Sequence, residues 1–118
     1  MKLRIKGNTL RLRLSQSEVE AFKENGLVKE HIEFGSTTLT YLLELVEGVE
    51  VTAIYELNTI RIGVPQAVKS DWTDTDQVGF DAVVDYGDQH LEILVEKDFQ
   101  CLIPRKEDES DLYVNRKA

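Results

Sequence analysis

The stretch Asn8-Thr9-Leu10-Arg11-Leu12-Arg13-Leu14 returns fifty residues later as Asn58-Thr59-Ile60-Arg61-Ile62-Gly63-Val64. Both copies alternate apolar and polar side chains with a period of two, the pattern of a strand with one buried face. A strand motif that recurs once in a chain of 118 residues predicts a duplicated β-rich architecture.

The elements around the two copies recur in phase. Residues 1–6 alternate apolar and basic, Gly7-Asn8 is a turn pair, and the alternation resumes at Thr9, which predicts a two-residue hairpin. Its register sets Leu3 against Leu12, Arg4 against Arg11, Ile5 against Leu10 and Lys2 against Arg13. Ser15-Gln16-Ser17-Glu18 has capping-box spacing and starts a short helix with Val19 and Phe22 on its apolar face. Asn25-Gly26 ends it.

Residues 28–34 and 38–46 then read as strands. Val28, Ile32 and Phe34 share one face, interrupted by Glu30, and Leu39, Tyr41, Leu43 and Leu45 point inward. The second half repeats the order, with strands over 51–56 and 58–64, a helix opened by Pro65 and carrying Val68 and Trp72, and strands over 78–85 and 90–96. Gly87 falls at the place of Gly35, Trp72 at that of Phe22, and Leu94 at that of Leu42.

The predicted fold is therefore α+β, an internally duplicated β-β-α-β-β unit with pseudo-repeats over 1–48 and 49–97. About eight antiparallel strands would form one curved sheet with both short helices on one side, or a partly closed barrel. Residues 1–118 make one domain, in which 98–118 form an extended or mobile acidic tail. A cavity between sheet and helices, or inside the barrel, is the expected ligand place.

Charge is segregated along the chain. Residues 1–17 hold five bases and no acid, residues 18–95 hold sixteen acids and four bases, and the net charge is −8. An acidic molecule with pI near 4.7 repels polyanions, which argues against nucleic acid as a partner. No apolar run reaches the roughly 20 residues of a membrane span, and the N-terminus lacks the pattern of a signal peptide. With one cysteine as well, the expected setting is the cytoplasm, without an intramolecular disulfide.

One face of the first hairpin gathers Lys2, Arg4, Arg11 and Arg13. Like charges across a strand pair are unfavourable, so this face needs carboxylates, solvent or a bound anion. Glu92 and Glu96 on the last strand, and Glu44 in the first half, are the candidate carboxylates; a small anion or an acidic protein is the functional alternative. The second half keeps only Arg61, with Gly63 at the position of Arg13.

The remaining reactive residues carry less. Cys101 lies among Phe99, Leu102 and Ile103, the setting of a small buried hydrophobe rather than a nucleophile. His31 and His90 sit in polar strand contexts. The aspartates at 71, 74, 76, 81 and 85 miss the spacing of a calcium loop, because Val78 falls where a third oxygen ligand is needed. No phosphate loop, dinucleotide fingerprint, zinc pair or serine elbow is present, so no metal, cofactor or catalytic residue is assigned.

At Lys2-Leu3-Arg4-Ile5-Lys6-Gly7-Asn8, Leu10-Arg11-Leu12, Ser15-Gln16-Ser17-Glu18-Val19 and Val95-Glu96-Lys97-Asp98-Phe99-Gln100-Cys101-Leu102, the chain resembles a family of small uncharacterised bacterial proteins. The resemblance runs through nearly the whole chain and implies a complete small protein, with no activity to transfer. The segment Leu112-Tyr113-Val114-Asn115 departs from the proline-bearing ending of such proteins. Triphosphate-tunnel enzymes also use an eight-stranded symmetric barrel, but open on Glu-x-Glu-x-Lys to hold metal. Here that strand reads Lys2-x-Arg4-x-Lys6, so their activity does not carry over. The expectation is a non-enzymatic module that binds another protein or a second copy of itself through edge strands. The alternative is a binder of an anion or phosphate-bearing ligand, or a phosphate-directed enzyme, using Lys2, Arg4, Arg11 and Arg13.

Overall fold

A computed structural model describes residues 1–99 and 110–114. Its elements run β1 (Lys2–Lys6), β2 (Thr9–Leu14), α1 (Gln16–Asn25), β3 (Leu27–Glu33), β4 (Thr38–Val46), β5 (Thr52–Glu56), β6 (Thr59–Pro65), α2 (Gln66–Thr73), β7 (Gly79–Tyr86) and β8 (Gln89–Lys97). The predicted order is reproduced with ends moved by one or two residues. The first hairpin has the predicted register, Lys2 against Arg13 through Ile5 against Leu10. Ser15 caps α1 in a full capping box with Glu18, and Gly26 ends it at φ 69°.

The sheets differ from the expectation. There are two four-stranded sheets, ordered β1-β2-β8-β7 and β3-β4-β6-β5, and they do not close into a barrel. Outer pairs are antiparallel, but the central pairs are parallel: Arg11 faces Leu94 and Arg61 faces Leu42. Each sheet thus takes one hairpin from each half of the chain.

Burial explains why one curved sheet is not formed. Only Val19 and Phe22 of α1, and Lys69 and Trp72 of α2, are buried, too little to cover eight strands. Facing the sheets to each other covers their inner rows instead, Leu10, Leu12, Leu14, Ile93 and Val95 against Tyr41, Leu43, Ala53, Ile62 and Val64. Trp72 joins the layers, 6.3 Å from the Phe22 ring and edge-on to Phe80 at 5.4 Å. Its indole nitrogen donates to the Val78 carbonyl at 3.0 Å.

Strand directions put the four hairpin turns at one end of the molecule and both helices at the other. The core is continuous at the helix end and opens toward the turns. Ile32 and Phe34, predicted to share an apolar face with Val28, are 42% and 64% exposed at that open end. Tyr41 and Leu43 are buried as predicted, whereas Leu45 is 40% exposed and Leu42, between Tyr41 and Leu43, is buried.

The interruption at Glu30 has a cause in the chain's start. The Met1 ammonium donates to Glu18 and, at 3.0 Å, to Glu30, while the Tyr41 hydroxyl donates to the Met1 carbonyl at 2.7 Å. Residues 110–114 lie against the same helix start: the Gln16 amide donates to the Asp111 carbonyl at 3.0 Å, and Leu112 is buried. Cys101 and most of the acidic run at 107–111 lie outside the described residues.

Burial alone would raise the Glu18 pKa. Hydrogen bonds from the Met1 ammonium and the Ser15 amide outweigh it and hold the carboxyl below its usual 4.5. A group with a depressed folded pKa stabilises the fold above its unfolded pKa, and that contribution is lost as pH falls through the folded value. Glu18→Gln is therefore expected to cost about 1 kcal/mol at pH 7. The gap between wild-type and variant melting temperatures should shrink below about pH 4.5, followed by circular dichroism.

Candidate functional site

Two recesses stand beside the fold's open end. The larger is a cleft of about 670 Å³ between the sheets, lined chiefly by Ile5, Leu10, Leu39, Ala53, Ile60 and Leu91, with Ile54, Tyr55 and Tyr86 at its lips. Its size lies in the range of small-ligand sites. Ala53 apart, these positions lie toward the turn ends of strands from both sheets. The Tyr86 hydroxyl donates across the gap to the Ala53 carbonyl, and the Asn8 amide donates to the His90 carbonyl, pinning the first turn beside the last hairpin.

The lips are apolar and open: Ile5 is 60% exposed, Ile54 51% and Tyr55 67%. At the same end, Leu57 is 93% exposed at the tip of the β5–β6 turn. Leu57 and Asn58 both have positive φ, 49° and 57°. Two left-handed residues make the tight hairpin turn that favours Gly or Asn. The first hairpin has Gly7 at this place, with φ 55°; the second strains a leucine into it.

The smaller recess, about 240 Å³, lies on the outer face of the first hairpin between Arg4, Lys6, Thr9 and Arg11. The predicted basic face is thereby split. Lys2 meets the buried Asp98 at 3.0 Å, and Arg13 bonds Glu96 at 3.0 Å. Arg11 approaches the same Glu96 oxygen at 3.5 Å, longer than an ordinary hydrogen bond. Arg4 remains on the recess with Lys6. Glu92, also expected to neutralise this face, instead accepts from the Thr9 hydroxyl at 3.1 Å. Glu44 pairs with Arg61 at 3.2 Å.

Sequence reasoning left Lys6 out of this set, although it alternates in phase with Lys2 and Arg4. It also missed the cleft, because only the facing of two sheets creates it. Apolar residues next to turns, at Ile5, Phe34, Ile54 and Leu57, were the available signal.

Other reactive groups remain apart. His90 meets Asp85 and His31 contacts the Thr40 hydroxyl at 3.0 Å, all on exposed strand surface. Asp74 pairs with Lys23 at 3.3 Å. Among the described residues no three His, Cys, Asp or Glu side chains gather as metal ligands. No helix among them is long and apolar enough to cross a membrane.

The model of DUF7009, a family of unknown function, matches residues 1–117. The chain belongs to that family. It matches no curated protein and no solved structure. Membership of DUF7009 fits the resemblance seen along the chain and brings no activity with it, so the recesses are interpreted by their own chemistry.

The second half lacks a counterpart of Arg13 for a steric reason. Gly63 stands at the position of Arg13, and a Cβ there would come within 2.8 Å of Val46 Cγ1, with the Thr52 hydroxyl also in its way. Both neighbours are short, branched side chains that cannot swing aside. Gly63→Ala should therefore lower stability by about 1–3 kcal/mol in urea denaturation through overpacking.

Proposed function

We propose that this chain is a non-enzymatic interaction module that docks a protein segment into the apolar mouth between its hairpin tips. Leu57 carries the reading. It combines near-complete exposure of an apolar side chain with a left-handed backbone, and both features are unfavourable to the isolated fold. A residue kept against stability on a turn at the same end as an apolar cleft is explained by a partner that covers it.

Two further features identify the kind of partner. A small-ligand site covers most of its ligand. Here the lips of the cleft are exposed at Ile54 and Tyr55, and Phe34 and Leu57 add exposed apolar side chains on turns at the same end, the reach of a protein surface with an anchor in the cleft. The turns around the mouth carry exposed Glu33, Glu56, Asp85 and Asp88 against Lys6. This acidic rim suits an anchor flanked by lysine or arginine, and it opposes a second copy, which would bring two acidic rims together.

The paired geometry of the halves supports a duplication as the origin of the mouth. Arg4 faces Arg11 as Ile54 faces Arg61, and the ion pairs Arg11–Glu96 and Arg61–Glu44 stand at matching places. Two similar hairpin pairs, exchanged between sheets, leave a gap where their tips meet.

Peptides bearing a Leu or Trp anchor between lysines, aspartates or serines test the reading by fluorescence anisotropy. The lysine-flanked set should bind, and the combined Ile54→Asp and Tyr55→Asp variant should lose that binding. Leu57→Gly should raise stability by about 1 kcal/mol while weakening the peptide. Equal binding of aspartate-flanked peptides, or unchanged binding by these variants, would overturn the proposal. A dimer in sedimentation that the double variant abolishes would reassign the mouth to a second copy.

A further inference from the structure

We infer that the outer face of the first hairpin holds a separate site for a compact oxyanion of the phosphate or pyrophosphate type, formed by Arg4, Lys6 and Arg11 with the Thr9 hydroxyl. The site does not depend on the apolar mouth. β1 and β2 project these four side chains to the face opposite the cleft, and the register sets Arg4 against Arg11 and Lys6 against Thr9.

The geometry is a small rectangle. Facing positions on antiparallel strands lie about 5 Å apart, and alternate positions along one strand about 7 Å apart. Three cationic groups therefore converge above an area comparable with a phosphoryl group and its oxygens. Arginine offers a planar pair of donors, lysine a point charge, and the threonine hydroxyl can turn its one proton from Glu92 to the anion.

Neutralisation ends where the recess begins. At the helix end of this face, Asp98 answers Lys2 and Glu96 answers Arg13. Toward the turn, neither Arg4 nor Lys6 has a carboxylate partner among the described residues, and Arg11 has only the longer contact with a carboxylate that Arg13 already engages. Two like charges directly across a strand pair raise each other's energy, and an oxyanion between them relieves that repulsion. The net charge of −8 does not cancel the effect, because charges farther than about 8 Å are largely screened at physiological salt.

The surroundings also limit ligand size and direction. Glu92 stands on the β8 side, bonded to Thr9, and would repel an anion extending over that strand. β1 is the edge of its sheet, so the ester side of a phosphate monoester has room only beyond that edge. A compact doubly charged group is accommodated, and a long polyanion laid across the sheet is opposed by Glu92 and Glu96.

Inorganic phosphate and pyrophosphate are the probes, titrated at fixed ionic strength against chloride, with amide chemical shifts and melting temperature recorded together. Pyrophosphate should shift amides in residues 4–11 and raise the melting temperature through mass action. Changing Arg4 and Lys6 together to Gln should weaken it at least about tenfold. Glu92→Gln should tighten it, an effect no merely structural role would produce. The Ile54→Asp and Tyr55→Asp variant should bind pyrophosphate as wild type does, so failure of the mouth and failure of this site are separable. Absence of any shift beyond the chloride control, or equal binding by the Arg4 and Lys6 variant, would overturn the inference. These side chains are exposed or half-exposed, and the amide spectrum reports directly whether each variant remains folded.

Discussion

Parallel pairing of β2 with β8, and of β4 with β6, holds together strands that the chain places far apart. It forces each sheet to draw one hairpin from each half, and so neither half can complete a sheet alone. The pairing also aligns all four turns at one end. From that alignment follow the closed helix end, with Phe22, Trp72 and Phe80 in contact, and the open turn end, where the inner rows part around the cleft. Packing demands are satisfied at one pole, and apolar side chains stay exposed at the other.

Electrostatics follow the same division. Partners for the basic hairpin sit toward the helix end, on Glu96 and Asp98, because β8 and the residue that follows it reach that end alongside β2. The Asp98 amide donates to the Leu14 carbonyl at 2.9 Å, which fixes the buried carboxylate within reach of Lys2. The equivalent corner of the other sheet replaces this charge pair with Val46 against Thr52 and Gly63. One corner is cationic and the other sterically filled, so two similar hairpins are left with different surfaces.

Local structure was legible in the sequence because its causes are local. Alternation specified the strands, Gly7-Asn8 the first turn and its register, and Ser15 with Glu18 the helix start. The exchange of hairpins between sheets was not legible: an inner strand face has the same alternation whether its neighbour runs parallel or antiparallel. Four basic side chains could be placed on one face, but the assignment of Glu96 to Arg13 and Asp98 to Lys2 depended on β8 lying beside β2. Lys6 joins the recess through the hairpin's own pairing, where it faces Thr9. Glu30, an apparent fault in an apolar row, had its explanation in Met1, a residue distant in sequence.

Leu57 shows where local and global requirements conflict. A glycine would suit the turn better, and a polar residue would suit its exposure better. Ordinary packing cannot resolve the conflict, since a side chain that is 93% exposed has almost nothing to pack against within its own chain. Strain in the backbone would instead be offset by burial against another surface, where covering a leucine contributes about 2 kcal/mol. The strained backbone has a benefit of its own: two successive left-handed residues make the shortest hairpin connection, with few alternative conformations. An apolar contact held on such a turn loses little conformational freedom on binding, so more of its burial remains as affinity.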